Sequence, residues 1–260
     1  MSETLSISED LQKVLNKFER IELTDLRDGA QMERIDRKYP VHISRIPEVL
    51  RGLESEYKIV RAAGSVVSPY DTWYMDTPEL KFYRIHHDGF LNRDKVRYRA
   101  YPRTRTTFLE VKRKNNKGRT SKARILCNSM VYPFSPDKLK FLEENMQGFD
   151  PQVLRPSIFI KYDRIAFINP NGKERFSIDF NISAQIDDKT TNFGEAVILE
   201  VMQDRRHTSP IISRLRELRL REASMSKYCL TMSLLNKDLK SNLFKRDLRK
   251  LEKIMNEKDE

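Results

Sequence analysis

The feature that most constrains the fold of this sequence is a repeated alternation of charged and apolar residues. In the stretch KVRYRAY, residues 95–101, the cations Lys95, Arg97 and Arg99 occupy every second position. Successive side chains of a β-strand point to opposite faces, so a strand over these residues carries three positive charges on one face. The alternation recurs in MERIDRKY, TTFLEVKRK, TSKARIL and SIFIKYDRIAF, which predicts a sheet with one strongly charged face.

Composition narrows the class of partner. The 260-residue chain has 49 Lys and Arg against 38 Asp and Glu, a formal net charge of +11. This balance favours an anionic partner: nucleic acid, an acidic membrane surface or a phosphorylated small molecule. The two cysteines, Cys127 and Cys229, lie far apart, which argues against a zinc site or a disulfide framework and favours a reducing compartment.

The order of the predicted elements is that of an α+β protein. Amphipathic helices are predicted over 5–20, 137–146, 209–220 and from 226, with short strands between 32 and 202. We divide the chain into a helical lead-in over 1–30, one central domain over 31–236, and a charged helix over 237–260 that faces solvent or an oligomer partner. His86 and His87 fall in a predicted turn, HHDG, where we expect exposed side chains rather than metal ligands.

Cations collected on one face of a sheet need a compensating anion. Each pair repels by about 1 kcal/mol at 4 Å in water, and by more inside a protein. If the sheet closes into a barrel, the alternation directs the cations into a lumen and the apolar residues outward. We therefore expect a polyanion site in the lumen of a closed barrel. The cations with this alternation are Lys38, Arg97, Arg99, Lys112, Lys122, Arg124, Arg164 and Arg175.

A few carboxylates share the charged faces. Glu200 lies within the apolar run VILEVM, so it is expected to be buried, and a divalent ion bridging it to phosphate would offset its desolvation. The other carboxylates are expected to act as counter-ions for cations in the same strands: Asp36 with Lys38, Glu110 with Lys112, and Asp179 with Arg175.

These motifs, taken in order, resemble a known family. ERIDRKY, VRYRAY, FLEVKRK, SKAR, YDRIAF, RFSIDF, VILEVM and SKYC are similar to the VTC-type polyphosphate polymerase domain of the triphosphate tunnel metalloenzyme (CYTH-like) superfamily, over about residues 32–235. The resemblance implies a closed barrel of eight antiparallel strands, with helices packed outside and at one mouth. It also implies a metal-dependent transfer of the ATP γ-phosphate onto a growing polyphosphate chain.

The resemblance also implies roles for individual residues. Arg99, Lys112 and Lys227 would be catalytic, and Glu200 with Glu110 would hold Mn²⁺ or Mg²⁺. The ligands would be ATP and inorganic polyphosphate. Phosphates would be bound by Lys38, Arg97, Arg99, Lys112, Lys122, Arg124, Arg164, Arg175 and Lys227.

One motif departs from the broader superfamily. The superfamily signature ExExK corresponds here to Arg34, Asp36 and Lys38, so a cation replaces the first carboxylate. This substitution speaks against a triphosphatase or cyclase that holds its metal with both acids, and it matches the VTC-type pattern.

Three alternatives stay open. The chain could be a hydrolase of tripolyphosphate or a nucleoside triphosphate, or a receptor that binds polyphosphate without turnover. Nucleic acid is not expected as a partner, because Tyr98 and Tyr101 are taken to face away from the arginines, whereas a stacking platform needs both on one surface. We expect a cytoplasmic protein without a transmembrane segment of its own, so any membrane association would run through a separate membrane protein.

Overall fold

The computed structural model describes residues 7–26, 35–117, 120–172, 174–204 and 208–257. In these segments the chain forms eleven β-strands and seven α-helices. The strands are β1 (Arg20–Glu22), β2 (Ile35–His42), β3 (Lys58–Arg61), β4 (Val67–Asp76), β5 (Arg93–Tyr101), β6 (Thr106–Lys114), β7 (Thr120–Cys127), β8 (Arg155–Ile168), β9 (Glu174–Ile186), β10 (Lys189–Asn192) and β11 (Ala196–Gln203).

The helices begin where the sequence supplies capping side chains. The hydroxyl groups of Ser8, Ser209 and Ser226 accept hydrogen bonds from the first turns of three helices, which satisfies backbone donors that have no partner within a helix. The helices are α1 (Glu9–Leu15), α2 (Ile46–Leu50), α3 (Lys81–His87), α4 (Pro136–Asn145), α5 (Pro210–Glu217), α6 (Lys227–Leu235) and α7 (Lys245–Met255).

The main sheet is antiparallel and follows the order β2-β11-β9-β8-β4-β5-β6-β7. Strand β3 also pairs with β8, β10 pairs with β9, and β1 pairs with β3 in parallel. Within the described residues β2 and β7 are not paired, so the sheet is open. The predicted α+β class is confirmed, but the prediction of a closed barrel is wrong.

The open sheet nevertheless curls until its first strand, β2, meets its next-to-last strand, β6, through side chains. Strands β2 and β6 are six spacings apart along the sheet, which is roughly 29 Å in a flat sheet at about 4.8 Å per strand. Yet Lys112 Nζ of β6 lies 2.6 Å from Asp36 Oδ2 of β2. An ion pair therefore spans the place where backbone pairing would close a barrel.

Helices cover the convex face of the curled sheet with apolar side chains. Outward residues of β2, β8, β9 and β11, such as Phe167 and Leu199, form one core with α1, α2 and α5. Val96, Tyr98 and Leu109 of β5 and β6 form a second core, which includes Leu142 of α4. The convex face is thus buried, and the polar residues of alternate parity are left for the concave face.

Helix α6 covers one end of the concave face. Ile158, Ile160 and Tyr162 have the same parity as Arg164 in β8, and they pack with Tyr228 and Met232 of α6. The concave face is therefore apolar where α6 lies against it and cationic farther along the strands. This agrees with the prediction of a helix at one mouth.

Two local predictions differ from the structure. Residues 86 and 87 end helix α3 instead of forming a turn, and His87 is 3% exposed, with its Nε2 accepting a hydrogen bond from Leu243 N. The charged tail is helical, but its apolar side is not free: Leu251 and Ile254 are buried in the same core as α6. In the described part of the chain, no helix combines the length and apolar character required to cross a membrane.

Candidate functional site

The concave face of the sheet encloses a cavity of about 2040 Å³. Among the residues that the structure describes, fourteen cationic side chains line it, against the four carboxylates Asp36, Glu200, Asp204 and Glu222. The cations are Lys38, Arg93, Lys95, Arg97, Arg99, Arg103, Lys112, Lys114, Lys117, Lys122, Arg124, Arg164, Arg175 and Lys227.

The structure brings together the residues that the sequence singled out. All nine predicted phosphate-binding residues line the cavity, as does Glu200, whereas Glu110 lies beneath its surface and is fully buried. Arg34, the departure from the superfamily signature, falls outside the described residues. The location of these residues is now known, while their roles stay predictions.

Five cations of the cavity were not among the predicted phosphate-binding residues, although the signal was present for three of them. Lys95 has the same parity as Arg97 in β5, and Arg93 and Lys114 continue the same alternation in β5 and β6. The parity rule applied along the whole strand would have found all three residues. Arg103 lies in the connection between β5 and β6 and Lys117 in that between β6 and β7, where strand parity gives no information.

Glu110 holds three cations together. Its Oε2 lies 2.8 Å from Arg97 Nε and 3.9 Å from Arg99 Nη1, and its Oε1 is paired with Lys122 Nζ. Burial alone would raise the pKa of Glu110, but the three cations lower it well below its ordinary value. Glu110 is thus a permanently charged counter-ion in β6.

Asp179 plays the same part on the other side of the cavity. Arg164 contacts it in a bidentate arrangement, with Nε 2.5 Å from Oδ1 and Nη2 2.7 Å from Oδ2, and Lys227 also pairs with Oδ2. Burial would raise the pKa of Asp179, and Arg164 and Lys227 lower it instead. Asp179 therefore fixes the N-terminus of α6 against strand β8.

Glu200 differs from these two carboxylates because it faces the cavity. Its side chain is 13% exposed, with Oε1 3.7 Å from Lys38 Nζ and Oε2 3.4 Å from Arg164 Nη2. Burial would raise the pKa of Glu200, but Lys38, Arg164 and more distant lysines lower it. Its longer contacts and its position leave room for an additional cation.

The counter-ion partners predicted within each strand are wrong. Asp36 pairs with Lys112, Glu110 with Arg97 and Lys122, and Asp179 with Arg164 and Lys227. Residues i and i+2 of a strand are nearly 7 Å apart, whereas directly opposite residues of neighbouring strands have Cβ atoms about 5 Å apart. Arg97 with Glu110 and Arg164 with Asp179 are such directly opposite pairs, whereas Asp36 and Lys112 meet because the curl of the sheet brings β2 near β6.

Aromatic rings make cation–π contacts with three of the cations. The guanidinium carbon of Arg99 lies 5.3 Å from the centroid of the Tyr70 ring, that of Arg164 lies 5.1 Å from the same ring, and Lys227 Nζ lies 4.6 Å from that of Tyr162. Such contacts fix the direction of a cation without neutralising it. Sequence reasoning missed both tyrosines.

The predicted orientation of Tyr101 is wrong. Tyr101 has the parity of Arg99 and lines the cavity, and only Tyr98 points to the convex side. The argument against nucleic acid therefore loses one of its two residues, and the absence of a nucleic-acid partner stays a prediction.

Lys95 lies beside the N-terminus of α6. Its Nζ donates to Ser226 Oγ at 3.0 Å, and within the described segments it has no carboxylate partner. Burial, with smaller contributions from Lys38 and Lys112, lowers the pKa of Lys95 to about 8 against opposing effects of Cys229 and Tyr74. Lys95 therefore titrates near physiological pH.

A comparison with models of protein families identifies the family of the chain. A family model described as "VTC domain" matches residues 33–236. The chain belongs to the VTC domain family. A comparison with curated proteins returned no match.

Solved structures were also compared with this VTC domain. It is similar to the PH1819 protein of Pyrococcus horikoshii OT3, at 12% identity, with a TM-score of 0.45 and coverage of 77% of this chain and 98% of that chain. It is also similar to HpAC1 of Hippeastrum, described as having a dominant triphosphatase activity, at 13% identity, with a TM-score of 0.47 and coverage of 78% and 96%.

The pKa of Lys95 leads to a prediction about pH. Because a lysine with a lowered pKa is neutral above that pKa, the cavity of the VTC domain loses a cation as pH rises from 7 to 9. We expect replacement by arginine, which stays charged, to remove this loss. Calorimetric affinities for long-chain polyphosphate should therefore fall more between pH 7 and pH 9 for the wild type than for Lys95→Arg. The titration of the ligand itself is common to both proteins, so an equal change in both would contradict the assignment.

Proposed function

We propose that this VTC domain is a polyphosphate polymerase that transfers the γ-phosphate of ATP onto a growing polyphosphate chain inside the cavity. The observation that carries the proposal is the lining of that cavity, with fourteen cations against four carboxylates. Phosphoryl transfer depends mainly on positioning and on neutralising charge at the phosphate oxygens, which such a lining supplies. Family membership adds support.

Arg99 is the strongest candidate for contact with the reacting phosphates. It is 7% exposed, it lines the cavity, and its Nε has no hydrogen-bond partner among the described residues. A buried guanidinium N–H without a partner is costly, and a phosphate oxygen would satisfy it. Lys112 and Lys227 complete the proposed catalytic set from β6 and α6.

Two candidate bases of the cavity, Glu200 and His86, are unsuited to activating water. Activation of water calls for a general base with a pKa near the working pH. The pKa of Glu200 is held low by cations, and the pKa of His86 is lowered far below its usual value by burial and by Lys95 and Arg93. A phosphate acceptor is already an anion and needs no base, so transfer depends neither on these two groups nor on Lys95, Lys122 and Tyr74, whose pKa values are lowered to about 8. We therefore propose transfer over hydrolysis.

The carboxylates of the cavity could supply one ligand to a divalent ion. The described residues contain no group of three or more His, Cys, Asp or Glu side chains that could hold a metal. Mg²⁺ and Mn²⁺ are commonly held by one or two carboxylates together with substrate phosphates, and the partly exposed Glu200 suits that role. When bound, the ion would neutralise charge on the phosphates. Glu110, enclosed by three cations, would serve as their counter-ion.

Activity measurements on single variants test the proposal. Purified protein with ATP and Mn²⁺ or Mg²⁺, with and without a short polyphosphate primer, should release ADP and form polymer. Arg99→Ala and Lys227→Ala should each lower the rate by roughly 100-fold or more, because each variant lacks a positive side chain that would stabilise the transferring phosphate. Lys245→Ala, an exposed residue of α7 outside the cavity, is the matched control.

Other outcomes of this assay, together with binding measurements, would support one of the alternative functions. Free phosphate without polymer would establish the hydrolase, and tight binding of tripolyphosphate without any ADP release would establish the receptor. Preferential binding of an oligonucleotide over tripolyphosphate would point to nucleic acid.

A pair of glutamate variants separates the metal ligand from the counter-ion. Glu200→Gln should weaken the binding of Mn²⁺ to the protein–tripolyphosphate complex, measured by electron paramagnetic resonance, and leave the fold intact. Glu110→Gln should retain Mn²⁺ binding but lose about 3 kcal/mol of unfolding free energy in the absence of phosphate, since it leaves the buried Arg99 and the partly buried Arg97 and Lys122 without their counter-ion. Equal loss of Mn²⁺ in both variants would show that both carboxylates hold the metal.

A further inference from the structure

Two pairs of cations face each other directly across strands β5 and β6. Arg93 is paired in register with Lys114, and Lys95 is paired with Lys112. Lys112 also faces Lys122 in the next strand, β7. Like charges directly opposite each other destabilise a sheet, so this stretch is unfavourable as long as the cavity contains no anion.

The next level of the same strands is built differently. There Arg97 lies opposite Glu110, and Glu110 in turn lies opposite Arg124. The sheet thus places a carboxylate among the cations at the level of Arg97 but not at the levels of Lys95 and Arg93. The register therefore divides the cationic row into a compensated part and an uncompensated part.

Few contacts offset the charge of the uncompensated part. Lys112 has Asp36 as its partner, Lys95 donates to Ser226 Oγ, and Arg93 donates to the carbonyl oxygen of Phe90 at 2.8 Å. In the part of the chain that the structure describes, Arg93, Lys95 and Lys114 form no ion pair with a carboxylate. Burial, together with Arg93 and Lys112, lowers the pKa of Lys114, as expected for a cation among cations.

The uncompensated part extends along strand β5 for several residues. Arg93 lies four residues from Arg97 along β5, which is about 13 Å at roughly 3.3 Å per residue. Every second side chain of this stretch lines the cavity. A triphosphate held near Arg97, Arg99 and Arg164 would leave this row free for further phosphates of the same chain.

We propose that Arg93, Lys95 and Lys114 form, next to Lys112, a chain subsite that binds phosphates of a polyphosphate beyond those held near Arg99 and Arg164. The inference rests on the proposed function for its ligand class. It adds that the protein discriminates between short and long phosphate chains, and that this discrimination comes from the cation pairs of β5 and β6.

The test compares two ligands on one double variant. Calorimetry without ATP or metal measures the affinities of tripolyphosphate and of long-chain polyphosphate for the wild type and for Arg93→Gln/Lys114→Gln. We expect the affinity for long chains to fall roughly tenfold to thirtyfold, and that for tripolyphosphate to fall much less. The salt dependence of long-chain binding should become shallower by about 0.7 per cation removed. Lys245→Gln/Arg246→Gln removes the same charge from exposed α7 positions.

A second readout guards against a trivial structural effect. Because Arg93 and Lys114 repel each other in the free protein, we expect the double variant to have a higher melting temperature than the wild type when no phosphate is present. The subsite would be refuted if long-chain affinity fell no more than in the α7 control, or if both ligands lost affinity equally. Chain-length selectivity without polymer synthesis would keep the subsite and reject the polymerase.

Discussion

The structure depends on the repulsion among cations that the fold forces into one cavity. Fourteen lysine and arginine side chains share its walls, and each close pair is unfavourable unless a negative charge lies nearby. Three buried or nearly buried carboxylates, Glu110, Asp179 and Glu200, reduce this repulsion where the cations are most crowded. The compensation is partial, so a phosphate ligand completes the electrostatics of the site.

The fold supplies the stability that this arrangement opposes. Apolar residues of alternate parity bury the convex face against helices, and α6 seals one end of the concave face. Strand β2, at one end of the sheet, meets β6, next to the other end, through Asp36 and Lys112, and within the described residues no backbone pairing closes the sheet.

Strand parity made the cavity predictable, and cross-strand register did not. Alternation around Arg97 and Arg164 revealed which residues share a face, because parity is a local property of each strand. The partners of Glu110 and Asp179 could not be predicted, since they depend on which strands are neighbours and in what register. The prediction of a closed barrel failed for the same reason, because closure depends on which strands are neighbours. The prediction for Tyr101 was wrong because Tyr101 lies two residues after Arg99 in β5 and therefore has the same parity. His87 was predicted to lie in a turn because of the nearby Gly89, but it is the last residue of helix α3.

The central claim is that the free cavity carries positive charge that an oligophosphate compensates. The most direct measurement is thermal unfolding of the wild type in tripolyphosphate and in sodium chloride of equal ionic strength. A ligand at about 100 times its Kd adds about 2.7 kcal/mol of stability, so we predict a melting temperature higher by about 5 °C or more in tripolyphosphate. Equal melting temperatures in the two solutions would contradict the claim, because general screening would then account for all of the stabilisation.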